Sequence, residues 1–144
     1  MQCVAFDCTN RHIAAGDASG RINIWTGLDA ALADSAHSTV QPADPRTGGM
    51  RQQTIHWHSN AVQSLCFSQD GFYLLSGGHE GVLVIWQLAT LTKEFLPRLG
   101  AGICHISPFP SDPAQYVLGF DSNVIRCASI SAMQVGTLGH VSAC

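Results

Sequence analysis

The chain has 144 residues, of which 46% are hydrophobic and only 12% are charged, a composition typical of about one folded domain rather than a charged disordered tail. Seven basic against ten acidic residues give a net charge of −3, which excludes an autonomous phosphate-binding domain. The longest apolar stretch, 82–86, is far too short to cross a bilayer, and the N-terminal residues lack the basic flank of a secretory signal or transit peptide.

The first strands open an internal repeat. Residues 3–25 (CVAFDCTNRHIAAGDASGRINIW) align without a gap with residues 64–86 (SLCFSQDGFYLLSGGHEGVLVIW), 61 positions later. The tryptophans and glycines that mark strands and turns recur in both copies: Trp25, Gly16 and Gly20 in the first, and Trp86, Gly77 and Gly81 in the second. We therefore interpret these residues as the signature of a repeated β-structure.

The stretch 27–50 separates the two copies. It is rich in Ala, Asp, Ser, Pro and Gly and lacks apolar periodicity, which predicts an extended loop. Removing about 20 residues restores a period of about 42, so we place the loop between the third and fourth strands of the first copy. A variable, solvated loop is favoured over a partner-binding one.

The second copy is the most complete. Its apolar runs and turn residues predict four strands, at 61–68, 72–77, 82–87 and 92–96. Four antiparallel strands in about 42 residues, with an Ile-Trp pair on the third, are typical of a blade of a WD-repeat β-propeller.

Four polar or aromatic residues of this copy occupy the positions of a hydrogen-bond chain found in WD-repeat blades: His58, Ser76, Glu80 and Trp86. An indole can only donate, a hydroxyl and a neutral imidazole both donate and accept, and a carboxylate ends the chain. We interpret this tetrad as structural rather than catalytic. The equivalent positions hold Ala15, Ser19 and Trp25 in the first copy and Leu118, Ser122 and Ala128 in the third, so only the second can carry it.

A third, degenerate copy follows. Ile106 corresponds to Leu65 at an offset of 41, whereas Tyr116 corresponds to Leu74 at 42, which indicates one inserted residue. We predict an all-β, open fragment of a propeller with about three four-stranded antiparallel blades. The predicted divisions are residues 1–57, 58–97 and 98–138, with 139–144 beginning a further blade. Since closed propellers have at least four blades, we expect a piece of a larger protein that is poorly soluble alone.

We expect seven apolar strand residues to form the blade core: Phe6, Leu65, Phe67, Leu74, Val82, Val84 and Ile85. The six cysteines lack C-x-x-C spacing and a secreted context, which favours reduced thiols and no metal site. Catalysis by Cys104 and His105 is disfavoured because neighbours in a regular strand point to opposite faces. His79 has no nucleophile near it in sequence. We therefore predict neither an enzyme nor a cofactor.

The combinations HWH before a blade, LLSGG and KEFLPRLG resemble the tandem-propeller WD-repeat subunits of the small-subunit processome. That resemblance implies a non-catalytic nucleolar scaffold, which supports processing of pre-rRNA towards 18S rRNA and transcription by RNA polymerase I. It implies other WD-repeat and helical subunits as partners, with pre-rRNA and snoRNA reached through the complex, and neither a membrane nor a small-molecule substrate. Lys93 and Arg98, which flank the EFLP segment, are the first candidates for a partner contact.

A generic WD-repeat adaptor is the alternative, such as a substrate receptor of a ubiquitin ligase or a reader of histone peptides, because this fold supports many functions.

Overall fold

A computed structural model describes residues 2–7, 11–27, 51–97 and 99–140, without the side chains of 137–140. These residues form twelve strands: β1 (Cys3–Phe6), β2 (His12–Gly16), β3 (Arg21–Thr26), β4 (Arg51–His56), β5 (Val62–Phe67), β6 (Tyr73–Gly78), β7 (Leu83–Gln87), β8 (Lys93–Leu96), β9 (Ile103–Phe109), β10 (Asp112–Phe120), β11 (Val124–Ser129) and β12 (Gln134–His140). The described ranges contain no helix, and hence none that could span a membrane.

The strands form three four-stranded antiparallel sheets, β1–β4, β5–β8 and β9–β12, each in chain order. The all-β prediction of three open, four-stranded blades is confirmed. The first strand of the second sheet, β5, contacts β1 and β2 of the first sheet and β9 of the third, so the second sheet packs against both others.

Strands β3 and β4 flank the segment for which an extended loop is predicted. Thr26 and Arg51 are paired in register, so the chain between them connects the third and fourth strands of the first sheet, where the sequence had placed it. Residues 28–50 lie outside the described residues.

Side chains of the second sheet alternate between two cores. Along β7, Val84 and Trp86 pack with Ile22 and Ile24 of the first sheet. Leu83 and Ile85 instead pack with residues of the third sheet. This division follows from the period of two along a strand, and it explains why β7 is apolar on both faces.

Two expected core residues are not buried. Phe6 is 64% exposed, although its counterpart Phe67 is only 6% exposed. Phe67 lies on the face that the first sheet covers, whereas no sheet covers the equivalent face of Phe6 in the described part of the chain. Val82 lies just before β7 and is half-buried.

The third sheet departs from the expected boundary and from regular pairing. Strand β12 continues to His140, so Gly139 and His140 complete this sheet instead of opening another blade, while 141–144 lie outside the described residues. The β9–β10 register shifts between Asp112 and Tyr116, within the segment where the repeat offset changes from 41 to 42. The inserted residue is thus absorbed as an irregularity between these two strands.

Candidate functional site

The four residues of the predicted tetrad meet on the second sheet. Ser76 lies on β6 and Trp86 on β7, and the pairs Ser76↔Val84 and Leu74↔Trp86 put both side chains on the face towards the first sheet. His58 belongs to the connection between β4 and β5, and Glu80 to the turn between β6 and β7. Two loops therefore bring the imidazole and the carboxylate to a pair of strand residues.

The hydrogen bonds run in one direction through the network. The Trp86 indole N–H donates to Ser76 Oγ at 3.0 Å, and Ser76 Oγ lies 2.8 Å from His58 Nε2. His58 Nδ1 lies 3.2 Å from Glu80 Oε2. Since the Glu80 carboxylate can only accept, the neutral imidazole carries its proton on Nδ1 and donates to it. Nε2 is then an acceptor, so the serine hydroxyl donates to Nε2.

Glu80 ends this chain and also holds the loop that carries His58. The backbone N–H of Asn60 donates to Glu80 Oε1 at 2.9 Å, and the Ser59 hydroxyl reaches the same oxygen at 3.4 Å. One carboxylate therefore fixes the imidazole through one oxygen and the following backbone through the other.

The environment keeps the imidazole neutral and the carboxylate ionised. Burial lowers the pKa of His58, although the hydrogen bond and charge of Glu80 act in the opposite direction. Burial alone would raise the pKa of Glu80, but hydrogen bonds from the backbone and from His58 outweigh it, so the net shift is downwards. Both shifts agree with the donor and acceptor roles assigned above.

The equivalent positions of the other sheets hold no such network. In the first sheet, Ala15 and Trp25 are half-buried, and the Ser19 hydroxyl donates to the Asp17 carboxylate at 2.7 Å within its own turn. In the third sheet, Leu118 and Ala128 are fully buried in the apolar core.

The repeated glycines lie where neighbouring sheets touch. A Cβ atom on Gly16 would stand 2.6 Å from the Cβ of Val62, and one on Gly77 would stand 2.7 Å from the Cβ of Ile103. Val62 and Ile103 are the first residues of the next sheet's first strand in each case. Glycine is therefore required by the close approach of consecutive sheets.

The glycines in the turns between the second and third strands, Gly20 and Gly81, also lie against the next sheet. Gly20 has a φ of 92°, and a Cβ there would overlap the carbonyl of His58; Gly81 has a φ of 71°, and its Cβ would stand 3.0 Å from the carbonyl oxygen of Ala101. Each of these turns thus contacts the backbone segment that connects its own sheet to the next one.

A second polar pair, Asp7 and His12, is partly buried and was not predicted from the sequence. Asp7 is 1% exposed, and its Oδ2 lies 3.0 Å from Nδ1 of His12. In the repeat, Asp7 aligns with Ser68, which is buried too and accepts a hydrogen bond from the backbone of Tyr73. A polar residue directly after the first strand of both copies was therefore the sequence feature that could have predicted a buried polar group here.

Of the two basic residues predicted to contact a partner, only Lys93 lies within the described residues. Lys93 is exposed, and its ammonium group lies 5.8 Å from the centroid of the Trp86 ring. Arg98 lies outside the described residues.

Cys104 and His105 do not lie in a regularly paired part of β9, contrary to the prediction. The register jumps from Gly119↔His105 to Phe120↔Ile103, so Cys104 is the extra residue of a bulge, and both side chains are exposed. Strict alternation therefore fails here. However, no hydrogen bond joins the two side chains, and burial, with the charge of Asp121, raises the pKa of the Cys104 thiol. His79 instead lies 2.9 Å from the amide of Gln63.

Two family models match the chain. The first β-propeller of WD repeat-containing protein 75 matches residues 46–124, and the WD domain, G-beta repeat, matches residues 1–26.

Relatives of known sequence agree with the larger match. The chain is 41% identical over 106 residues to WD repeat-containing protein 75 of Danio rerio, which covers 73% of this chain and 11% of that protein. It is 45% identical over 91 residues to U3 small nucleolar RNA-associated protein 17 of Schizosaccharomyces pombe, which covers 62% of this chain and 11% of that protein. The chain thus spans about a tenth of the length of these curated relatives.

Among solved structures, the β-propeller domain of Cps50 (Swd1) from Myceliophteria thermophila superposes with a TM-score of 0.70 at 21% identity. The match covers 97% of this chain and 39% of that domain's chain, and it shows the fold. The family model of the propeller matches more than half of the sequence, and the three four-stranded sheets have the architecture of propeller blades. The chain therefore belongs to the family of the first β-propeller of WD repeat-containing protein 75.

Proposed function

We propose that this chain is part of a non-catalytic scaffold subunit of the small-subunit processome in ribosome biogenesis. In this role it supports processing of pre-rRNA towards 18S rRNA and transcription by RNA polymerase I, and it works in the nucleolus. The observation that carries the proposal is membership of the family, together with 45% identity to a yeast relative whose name places it with the U3 small nucleolar RNA.

The second sheet supports the non-catalytic part of the proposal. His58 and Ser76, which would be a general base and a nucleophile in a hydrolase, are both fully buried. Their polar atoms are bonded to Trp86 and Glu80 within the sheet. A substrate cannot reach either group without opening the blade, so the network is suited to holding the blade together.

The charge of the chain favours protein partners over direct contact with RNA. The net charge is −3, and the described basic residues are distributed over the three sheets: Arg11, Arg21, Arg51, Lys93 and Arg126. Binding to RNA phosphates would need an excess of Lys and Arg. We therefore assign contact with pre-rRNA and snoRNA to the whole complex, with other WD-repeat and helical subunits as direct neighbours.

Affinity purification of the tagged endogenous gene product, followed by sequencing of the co-purified RNA and mass spectrometry of the proteins, tests this function. We expect enrichment of the 5′ region of pre-rRNA and of its processing snoRNA, together with processome subunits. RNA at background level would contradict the proposal. Ubiquitin-ligase subunits or histones in its place would establish the general adaptor instead.

A further inference from the structure

A cleft of about 210 Å³ lies between the second and third sheets. The second sheet contributes Tyr73 and Ile85 to its lining, and the third contributes Pro113 and Ile130. These side chains give the cleft an apolar part and one aromatic ring. It is therefore a groove between two sheets, away from the hydrogen-bond network on the opposite face of the second sheet.

Two carboxylates border this apolar groove. Glu94 pairs in register with Ile85, which directs its side chain to the face towards the third sheet. Asp70 lies in the turn between β5 and β6, where its Oδ1 accepts hydrogen bonds from the Ser68 hydroxyl and the Phe72 backbone.

Neither carboxylate has a cationic partner in the described part of the chain. Glu94 makes no hydrogen bond there either, and none of the residues lining the cleft is basic. The nearest cation along the chain, Lys93, is directed to the other face, over Trp86. The cleft thus combines an apolar surface with negative charge that the described residues leave uncompensated.

We propose that this cleft binds an arginine side chain of a partner protein. The aliphatic part of an arginine would pack against Pro113 and Ile130, next to the buried Ile85. Its guanidinium would pair with the carboxylates and stack on Tyr73. RNA is the wrong ligand for this surface because its phosphates would be repelled by the same carboxylates.

Methyl NMR of the chain fused to an unlabelled soluble carrier protein, with the chain labelled at the δ1 methyl groups of isoleucine, tests this assignment. The probe is the pentapeptide Ac-Gly-Ala-Arg-Ala-Gly-NH2, and the control peptide contains citrulline, a neutral isostere, in place of arginine. We expect saturable shifts of the Ile85 and Ile130 signals with the arginine peptide alone. Ile22 and Ile24, in the other core, should stay unchanged and serve as internal controls.

The substitution Glu94→Gln should weaken binding of the arginine peptide roughly three- to tenfold without unfolding the chain, because Glu94 is exposed and supports no other group in the described structure. Asp17→Asn is the matched control, since it removes one negative charge on the first sheet and retains the acceptor oxygen of that turn. Unchanged Ile85 and Ile130 signals, an equal response to citrulline, or an equal loss in both variants would overturn the proposal.

Discussion

Glu80 is the residue on which the hydrogen-bond network depends most directly. Truncation by Glu80→Ala leaves the buried Nδ1 of His58 and the Asn60 N–H without their acceptor. We expect the free energy of unfolding to fall by about 1–3 kcal/mol, as for other buried polar groups that lose a partner. Urea denaturation measures this change. Glu80→Gln, which keeps an acceptor oxygen, should cost less, and equal stability of Glu80→Ala and the parent chain would show that the tetrad does not stabilise the blade.

The same network predicts a loss of stability in acid. His58 has a pKa below its ordinary value of 6.5, so the unfolded chain takes up this proton first as the pH falls. The free energy of unfolding should therefore decrease below about pH 6.5, by at most about 1.4 kcal/mol per pH unit for one proton. Glu80, with its pKa below 4.5, adds a further decrease in the same direction at lower pH.

Urea denaturation between pH 8 and pH 5 separates the part due to His58. In the variant His58→Gln, the unfolding free energy should depend less on pH in this range than in the parent chain. The control is His79→Gln, which changes an exposed histidine in a turn. Its unfolding free energy should depend on pH as strongly as that of the parent chain. If all three proteins show the same slope, the buried imidazole does not produce the acid sensitivity.

At the scale of the elements, a glycine on one strand sets the distance between two sheets. Gly77 faces the β-branched side chain of Ile103, which cannot move away easily because it is fully buried. We expect Gly77→Ala to destabilise the chain by about 1–3 kcal/mol through overpacking.

Gly136→Ala is the matched control for this contact. A Cβ at Gly136 would meet nothing within 4 Å, and the residue lies on the exposed surface of β12. The change should be neutral or should stabilise the chain slightly, because alanine has less freedom in the unfolded state. Thermal melts of the two variants should therefore differ clearly, and a similar melting temperature would argue against close packing at Gly77.

The strands and turns could be predicted because the repeat supplies the same pattern twice. The alternation in β7 and the glycines of both copies fall at equal offsets, so each copy supports the interpretation of the other. The tetrad could be predicted for a different reason: its residues occupy the positions of a hydrogen-bond chain found in WD-repeat blades, whereas the first copy has Ala15 and Ser19 at two of these positions. The bulge at Cys104 could not be predicted, because it depends on how the third copy pairs after its inserted residue rather than on local pattern. The contact of Asp7 with His12 likewise depends on the pairing of two strands.

At the scale of the whole molecule, sequence similarity between repeats does not fix which face is covered. Phe6 and Phe67 align in the repeat and lie on equivalent faces of their sheets, yet they differ tenfold in exposure, 64% against 6%. A repeat predicts the pattern of each sheet, whereas burial depends on the neighbour that packs against it. Comparing the same substitution at Phe6 and at Phe67 therefore measures how much packing between two sheets stabilises the chain.

Phe67→Ala should lower the free energy of unfolding by about 3–5 kcal/mol, because it opens a cavity between the first and second sheets. Phe6→Ala, the same chemical change at the equivalent position, should alter it by no more than about 0.5 kcal/mol in this chain. Urea denaturation of the pair measures the contrast. Equal losses would mean that the face carrying Phe6 is covered in solution, and self-association, detected as a dependence of the Phe6→Ala effect on protein concentration, would then identify a second copy as the cover.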